Sequence, residues 1–403
     1  MKAIQSEGIR ILAMMCYPTN PGADITIGGG EIRAIEILKR WQSWGIGVET
    51  LETEPSPSKV LKADYDIYAV SLPCKGYNTL ALFLNAVVLM VKNLWISFSL
   101  RNRVNAIVAF NSTFINVAPA WLLSRLLRKP FVVGFQISSY APSFSESYKI
   151  KRQEGESILH SLWLSFFARL TIGLAKSASA VYCLSQPIAD MLKILGFAEE
   201  RLHINGMGLN LETIDKVPEE EKEYDAIFLG RVEKHKGIKE LLDAWEMVLK
   251  KNPEARLVIV GAGDYLEEAK HRVNKANINS SIKFTGFISG EERFSYLKRS
   301  KVLLYPSRIK EGWGLSIAEA LACGLPVVCS DNPVFRTIFG DCTSAHFTPV
   351  GDEESLAQVL LSLLEDQTRL EKYGETSKAY ARQFDWDSIA RRELEVLIAC
   401  IRK

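Results

Sequence analysis

Short β-rich runs alternate with longer helical patterns from one end of the chain to the other, and this alternation restricts the fold more than any other feature. In the first half strands are read near Ile9–Met14, Val48–Leu51, Ile67–Leu72, Ala106–Phe110, Phe131–Gln136, Ala180–Leu184 and Arg201–Ile204. Helical patterns lie between them, near Glu31–Trp44, Thr79–Phe98, Ala118–Leu127, Ser157–Lys176 and Gln186–Leu195. A second series has strands at Ala226–Leu229, Arg256–Val260, Ile282–Thr285, Val302–Tyr305, Val327–Cys329 and Ala345–Phe347. Its helices are read near Ile238–Lys250, Tyr265–Ala276, Glu291–Arg299, Leu315–Cys323 and Glu354–Glu365. Strands that alternate with helices form βαβ units and a parallel sheet.

At 403 residues the chain exceeds what one hydrophobic core fills, so two domains of roughly 200 residues are expected. Residues 210–223, polar, charged and interrupted by Pro218, read as the linker. The expected organisation is therefore α/β, with two doubly wound, Rossmann-like domains at 1–209 and 224–384 and a ligand site in the cleft between them. The final helical stretch, within 385–403, has no strand after it and is expected to cross back onto the first domain.

Composition excludes several classes. With a formal net charge of +2 and 47% hydrophobic residues, the chain is neither a nucleic-acid binder nor disordered. Seven scattered cysteines without a Cys-x-x-Cys pair argue against a zinc site or disulfide scaffold and for a reducing cytosol. The first residues, with Glu7 early and a short apolar run Ile9–Cys16, open a strand better than they direct export. Charge is unevenly spread: no acid lies between Asp66 and Glu146, where Lys75, Lys92, Arg101, Arg103, Arg125, Arg128 and Lys129 all fall. The apolar run Thr79–Val91 ends at Lys92 and Asn93, short of the ~20 residues of a membrane span. It fits a buried helix of an α/β domain or a basic, apolar face of the 67–145 region resting on anionic lipid.

The chemistry concentrates after the strand Val302–Tyr305. Glu311 falls at the strand's carboxyl end and Glu319 in the following helix, roughly 8 Å along it at ~1.5 Å per residue from a start near Gly314. Ligands of open α/β sheets bind at this edge. Gly312 and Gly314 strip side chains from the turn, and N–H groups at a helix start bind phosphate. A carboxylate beside an anion site needs another group on the ligand, such as a sugar hydroxyl, to accept from. Three further features point to a diphosphate: Gly28-Gly29-Gly30 before the first helix, Arg231 and Lys236 in Gly230–Gly237, and glycine turns after strands at Gly261-Ala262-Gly263 and Gly286. Arg231 and Lys236 offer a forked donor and a point charge without a metal. The glycine turns leave room for a base and ribose, with backbone groups near Ile288 as partners.

Together, Gly230-Arg231 with Lys236-Gly237, Val260–Gly263, Phe284–Gly286, Tyr305–Ser307, Glu311–Leu315 through Glu319-Ala320, and Gly324–Val328 resemble retaining glycosyltransferases of the GT-B fold, family 4. The resemblance runs through nearly all of 225–385 and is looser in the first half, at Gly28–Gly30, Lys129-Pro130, Ser185-Gln186 and Asn205–Met207.

The resemblance implies a GT-B architecture and a glycosyl transfer from a nucleotide-diphosphate sugar to a glycan, lipid-linked or small-molecule acceptor, with retention. It implies Glu319 on the ribose hydroxyls, Glu311 on the donor sugar, and Trp313 and Gly314 lining the pocket. Arg231 and Lys236 would neutralise the diphosphate, with backbone help from Leu315, Ser316, Gly29 and Gly30, while Gly263 and Ile288 face the nucleoside. No metal or other cofactor is implied, and Asp-x-Asp is absent. In that family retention is attributed to front-side attack, with the leaving phosphate helping to deprotonate the acceptor. The chain departs from the family at Gln136, where a histidine usually stands beside the donor sugar. Glutamine still hydrogen-bonds but does not titrate near neutrality, which fits altered donor or acceptor preference better than lost activity. Two alternatives are a nucleotide-sugar epimerase, for which no acid–base cluster is found, and a silent nucleotide-sugar-binding subunit of a membrane assembly. The expected location is cytoplasmic, with a possible peripheral contact at the inner face of the membrane.

Overall fold

The computed structural model describes residues 8–16, 29–71, 79–136, 143–153, 157–288, 290–308 and 311–403. The chain divides into two compact units, residues 1–206 with 386–403, and residues 207–385.

The first unit opens with β1 (Arg10–Met15), α1 (Gly29–Ser43), β2 (Gly47–Thr53), the single turn α2 (Pro57–Val60) and β3 (Asp66–Val70). It continues through α3 (Thr79–Ser99), β4 (Ala106–Ala109), α4 (Phe114–Leu127), β5 (Phe131–Phe135), α5 (Phe144–Gln153) and α6 (Ile158–Ala175). Then come β6 (Ala180–Cys183), α7 (Gln186–Ile194) and β7 (Leu202–Ile204). The seven strands run in the order β3-β2-β1-β4-β5-β6-β7, all pairings parallel. Apolar runs such as Ile11–Met15 and Phe131–Phe135 are buried, as strands covered on both faces must be.

The second unit begins with α8 (Leu211–Lys216), β8 (Tyr224–Leu229), α9 (Ile238–Lys251), β9 (Leu257–Val260), α10 (Leu266–Lys275) and β10 (Ile282–Gly286). It proceeds through α11 (Glu292–Lys298), β11 (Ser300–Tyr305), α12 (Leu315–Ala322), β12 (Val327–Ser330), α13 (Pro333–Phe339) and β13 (Ala345–Thr348). It closes with α14 (Glu353–Leu364) and α15 (Gln367–Ala381). Its six strands are ordered β10-β9-β8-β11-β12-β13, again parallel. The order reverses between β1 and β4 in one sheet and between β8 and β11 in the other. Such switch points leave a crevice at the strands' carboxyl ends.

Several expectations need correction. Residues 210–223 are not a free linker: Asn210 caps α8 by accepting from the Thr213 N–H, and Leu211 and Ile214 are buried in the second unit. Helix α3, by contrast, spans Thr79–Ser99, close to the expected Thr79–Phe98, and it continues past Lys92 and Asn93, where the apolar run ends, with Asn93 buried and bonded to Cys16. Helices α5, α13 and α15 were not read from the sequence. The cause for α15 is that it buries only Leu370, Ser377 and Ala381, too few for an apolar stripe.

The last helix, α16 (Trp386–Arg402), belongs to the first unit. It lies along α1: Trp41 Nε1 donates to the Ala390 carbonyl at 2.8 Å, and Tyr182 donates to the Glu393 carbonyl at 2.7 Å. The buried Glu393 carboxylate pairs with Arg33 and accepts from Asn205 at 3.1 Å. A buried ion pair lasts only when further hydrogen bonds satisfy its charges, and Arg33 Nε also donates to the Gly206 carbonyl at 2.8 Å.

Candidate functional site

In the second unit most of the singled-out residues gather at the switch point. Gly230 follows β8 directly, and Tyr305 ends its neighbour β11. Lys236 sits in a tight turn before α9 and is 6% exposed. Its Nζ lies 2.7 Å from Glu311 Oε1 and 3.4 Å from the Tyr305 hydroxyl, over the phenol ring. Glu311 also accepts from Ser307 Oγ at 2.5 Å. The Arg308 N–H donates to the His235 carbonyl at 2.9 Å, which ties the loop after β11 to the turn that carries Lys236.

Burial raises the Tyr305 pKa and the nearby Glu311 raises it further, with Arg231 and a hydrogen bond from Ser316 in opposition. Tyr305 is therefore a neutral hydroxyl throughout the working pH range. Arg231 itself is exposed and donates to Glu233 at 2.6 Å, and the same carboxylate lies 2.9 Å from His235 Nε2. His235, between Lys234 and Lys236 in the sequence, thus has an anionic neighbour. Both cations read as diphosphate ligands have a carboxylate partner in the free chain, so an arriving anion competes with Glu233 and Glu311 for them.

Gly314 caps α12 with φ of +106°, and a Cβ there would come within 3.0 Å of the Phe335 and Phe339 rings. Only glycine suits this position. The first N–H groups of α12, at Leu315 and Ser316, thus begin beside Glu311, at a helix end that favours anions. Trp313, expected to line the pocket, packs edge-on against Phe339 and Phe384 with centroids 5.8 and 5.0 Å away, and is buried. Its indole serves the core of the unit.

Glu319 lies in α12 and is 5% exposed. Arg293 of α11 holds it, with Nη2 at 2.8 Å and Nε at 3.2 Å from the same oxygen, Oε1. No motif pointed to Arg293, because it lies on another element and nothing in its local sequence marks it. The Gly263 turn is stitched to the Gly230 turn, since the Val232 N–H donates to the Ala262 carbonyl at 2.9 Å and the Tyr265 N–H to the Val232 carbonyl at 3.0 Å. Ile288 is half-buried just beyond β10, two strands away from β8.

In the first unit α1 starts at Gly29. A Cβ on Gly30 would fall 2.0 Å from Gln136 Oε1, so glycine is what allows Gln136 to lie against the helix start. Gln136 follows β5 and donates to the Phe110 carbonyl at 2.8 Å. Gly28, read with Gly29 and Gly30 as facing a diphosphate, and residues 137–142 and 154–156 lie outside the described residues. Among the described residues no group of three or more His, Cys, Asp or Glu side chains gathers as metal ligands.

Residues 210–380 match the family described as glycosyl transferases group 1. Among curated proteins, the phosphatidyl-myo-inositol mannosyltransferase of Mycobacterium leprae is 30% identical over 194 residues, 47% of this chain and 51% of that protein. The N-acetylgalactosamine-N,N'-diacetylbacillosaminyl-diphospho-undecaprenol 4-alpha-N-acetylgalactosaminyltransferase of Campylobacter jejuni is 26% identical over 215 residues, 52% of this chain and 57% of that protein. The chain thus spans about half the length of the curated relatives it matches. Among solved structures, Anabaena HepE in complex with UDP superimposes with a TM-score of 0.73 at 18% identity, covering 97% of this chain and 100% of that one. Sucrose-phosphate synthase from Thermosynechococcus elongatus gives 0.71 at 19% identity, over 97% and 98%. The fold is accordingly that of the GT-B glycosyltransferases, built here from two parallel-sheet, Rossmann-like units.

Proposed function

We propose that the protein is a retaining, metal-independent glycosyltransferase of family 4, moving a sugar from a nucleotide-diphosphate donor to an acceptor. The observation that carries this reading is the convergence of Lys236, Glu311, Tyr305 and the start of α12 at the β8–β11 switch point, beside Arg231. Cleavage of a sugar–phosphate bond builds negative charge on the leaving diphosphate. Fixed cations and oriented N–H groups stabilise that charge without reorganising, which is catalysis by electrostatic preorganisation. Lys236 and Arg231 are the cations, and Leu315 and Ser316 supply the N–H groups. The neutral Tyr305 hydroxyl beside Lys236 keeps the ammonium oriented without cancelling its charge.

Glu319 takes the ribose hydroxyls with its second oxygen while Arg293 occupies the first. Glu311 exchanges Lys236 for hydroxyls of the donor sugar when the diphosphate arrives. Gln136, fixed against Gly30, hydrogen-bonds the sugar or acceptor where the family usually has histidine, and so shifts preference rather than supplying a base. The curated relatives named above carry phosphatidyl-myo-inositol and a diphospho-undecaprenol in their names, which supports a lipid or lipid-linked acceptor. Incubation with uridine, guanosine and adenosine diphosphate sugars and a polyprenyl-diphosphate or phosphoinositide acceptor in EDTA tests the proposal. An α-configured product from an α-linked donor is expected. An inverted product, or turnover only with added divalent metal, refutes the mechanism.

A further inference from the structure

Helices α3 and α6 of the first unit bury several polar side chains and expose several large apolar ones, alongside buried apolar contacts at Leu89, Ile172 and Ala175. On α6 the buried positions include Ser161 and Ser165, whose hydroxyls have no hydrogen-bond partner among the described residues, while Leu159, at 73%, Leu162 and Phe166 are exposed. On α3 the fully or nearly buried positions include Asn85 and Asn93, while Val91, Trp95, at 77%, and Phe98 face outward. The spacing of Val91, Trp95 and Phe98, and of Leu159, Leu162 and Phe166, keeps each set on one helical stripe. The two helices pack on α4 and touch each other. A helix in water presents the opposite pattern, so this surface is matched to an apolar environment.

Charge narrows the choice of environment. No acidic residue lies between Asp66 and Glu146, and none between Glu156 and Asp190, so α3, α4 and α6 carry no carboxylate. Lys92, Arg101 and Arg103 are exposed on α3 or just beyond it, and the Arg101 guanidinium lies 4.2 Å over the Phe98 ring. Exposed apolar side chains together with exposed cations, on helices that carry no carboxylate, complement a bilayer with anionic headgroups, although Glu146 of the neighbouring α5 is exposed, and an exposed tryptophan suits the interface. By length and composition α6 is long and apolar enough to cross a membrane, with mean hydropathy 1.4 over 18 residues. It does not span: Thr171, Ile172 and Ala175 are buried in the unit, and Phe167 packs on Phe114 of α4 at 4.6 Å.

We infer that the outer face of α3 and α6 rests on an anionic lipid bilayer, with Trp95, Phe98, Leu159 and Phe166 entering the interface and Lys92, Arg101 and Arg103 meeting the headgroups. This inference stands apart from the proposed reaction and needs no donor or acceptor. The test is co-sedimentation of the full chain with vesicles of phosphatidylglycerol or of phosphatidylcholine, at low and high salt. Binding to phosphatidylglycerol that falls at least tenfold in 0.5 M salt or on phosphatidylcholine is expected. Trp95→Glu and Phe166→Glu each weaken it several-fold and together abolish it. Both positions are exposed, so circular dichroism and the melting temperature stay at wild-type values. No binding at low salt, equal binding to both lipids, or wild-type binding by the double variant overturns the inference. A lipid-free dimer dissociated by these two substitutions also overturns it, since a second copy of the chain would then cover the face.

Discussion

The Lys236–Glu311 pair yields the sharpest prediction. The contact is 2.7 Å, and the two side chains are 8% and 12% exposed. With an effective dielectric of ~20, unit charges at that distance attract by ~6 kcal/mol, much of it offset by desolvation. Removing one partner of a buried pair costs about 3–5 kcal/mol, because the other charge stays buried and unmatched. The residual exposure and the Ser307 bond to Glu311 place Lys236→Met near the lower end, about 3 kcal/mol. Removing both charges, Lys236→Met with Glu311→Gln, recovers part of that loss and gives a coupling of about 2 kcal/mol in a urea-unfolding cycle. Binding should respond differently. Glu311→Gln frees Lys236, so a sugarless nucleoside diphosphate binds as well as to wild type or up to ~10-fold tighter, a gain of about 1.4 kcal/mol. The sugar-bearing donor loses that advantage and its contacts with Glu311. Stability effects that add within about 0.5 kcal/mol, or equal weakening of diphosphate and donor by Glu311→Gln, would refute the reasoning.

Other consequences are equally open to measurement. Arg293→Ala leaves Glu319 without its cation, and should weaken nucleoside diphosphate binding by about 1–3 kcal/mol in calorimetry, with Arg293→Lys recovering only part because it cannot place two N–H groups on one oxygen. Gly314→Ala forces an L side chain into φ of +106° and against two phenylalanine rings, and should cost about 1–3 kcal/mol in urea unfolding. Burial pushes the Cys16, Cys183 and Cys323 thiols up to about 12, so at pH 8 they stay protonated. Iodoacetamide should label the half-exposed Cys400 ahead of these three, and mass spectrometry after a timed quench reads the order.

The strands of both sheets were legible because each is a short, continuous apolar run bounded by turn residues, and such runs leave little choice in an α/β chain. Glu311 and Glu319 were legible for a different reason, since one strand–turn–helix segment carries both and its glycines mark the turn. What escaped the sequence is whatever depends on another element. Arg293 reaches Glu319 from α11, and Tyr305 and Ser307 hold Lys236 and Glu311 across the β8–β11 junction. The resemblance implies Trp313 in the pocket, but that its ring packs on Phe339 and Phe384 depends on elements its local sequence does not mark. Likewise, the apolar character of α3 and α6 was visible, but which of their faces points outward follows only from packing.

The central claim is that the β8–β11 junction holds a nucleotide diphosphate without a metal. Isothermal titration of uridine, guanosine and adenosine diphosphates into the full chain in EDTA tests it most directly. One-to-one binding of at least one of them, lost in the Lys236→Ala/Arg231→Ala variant while its fold is intact, is the predicted result. Absence of binding for all three, or binding that appears only with a divalent cation, would contradict the claim.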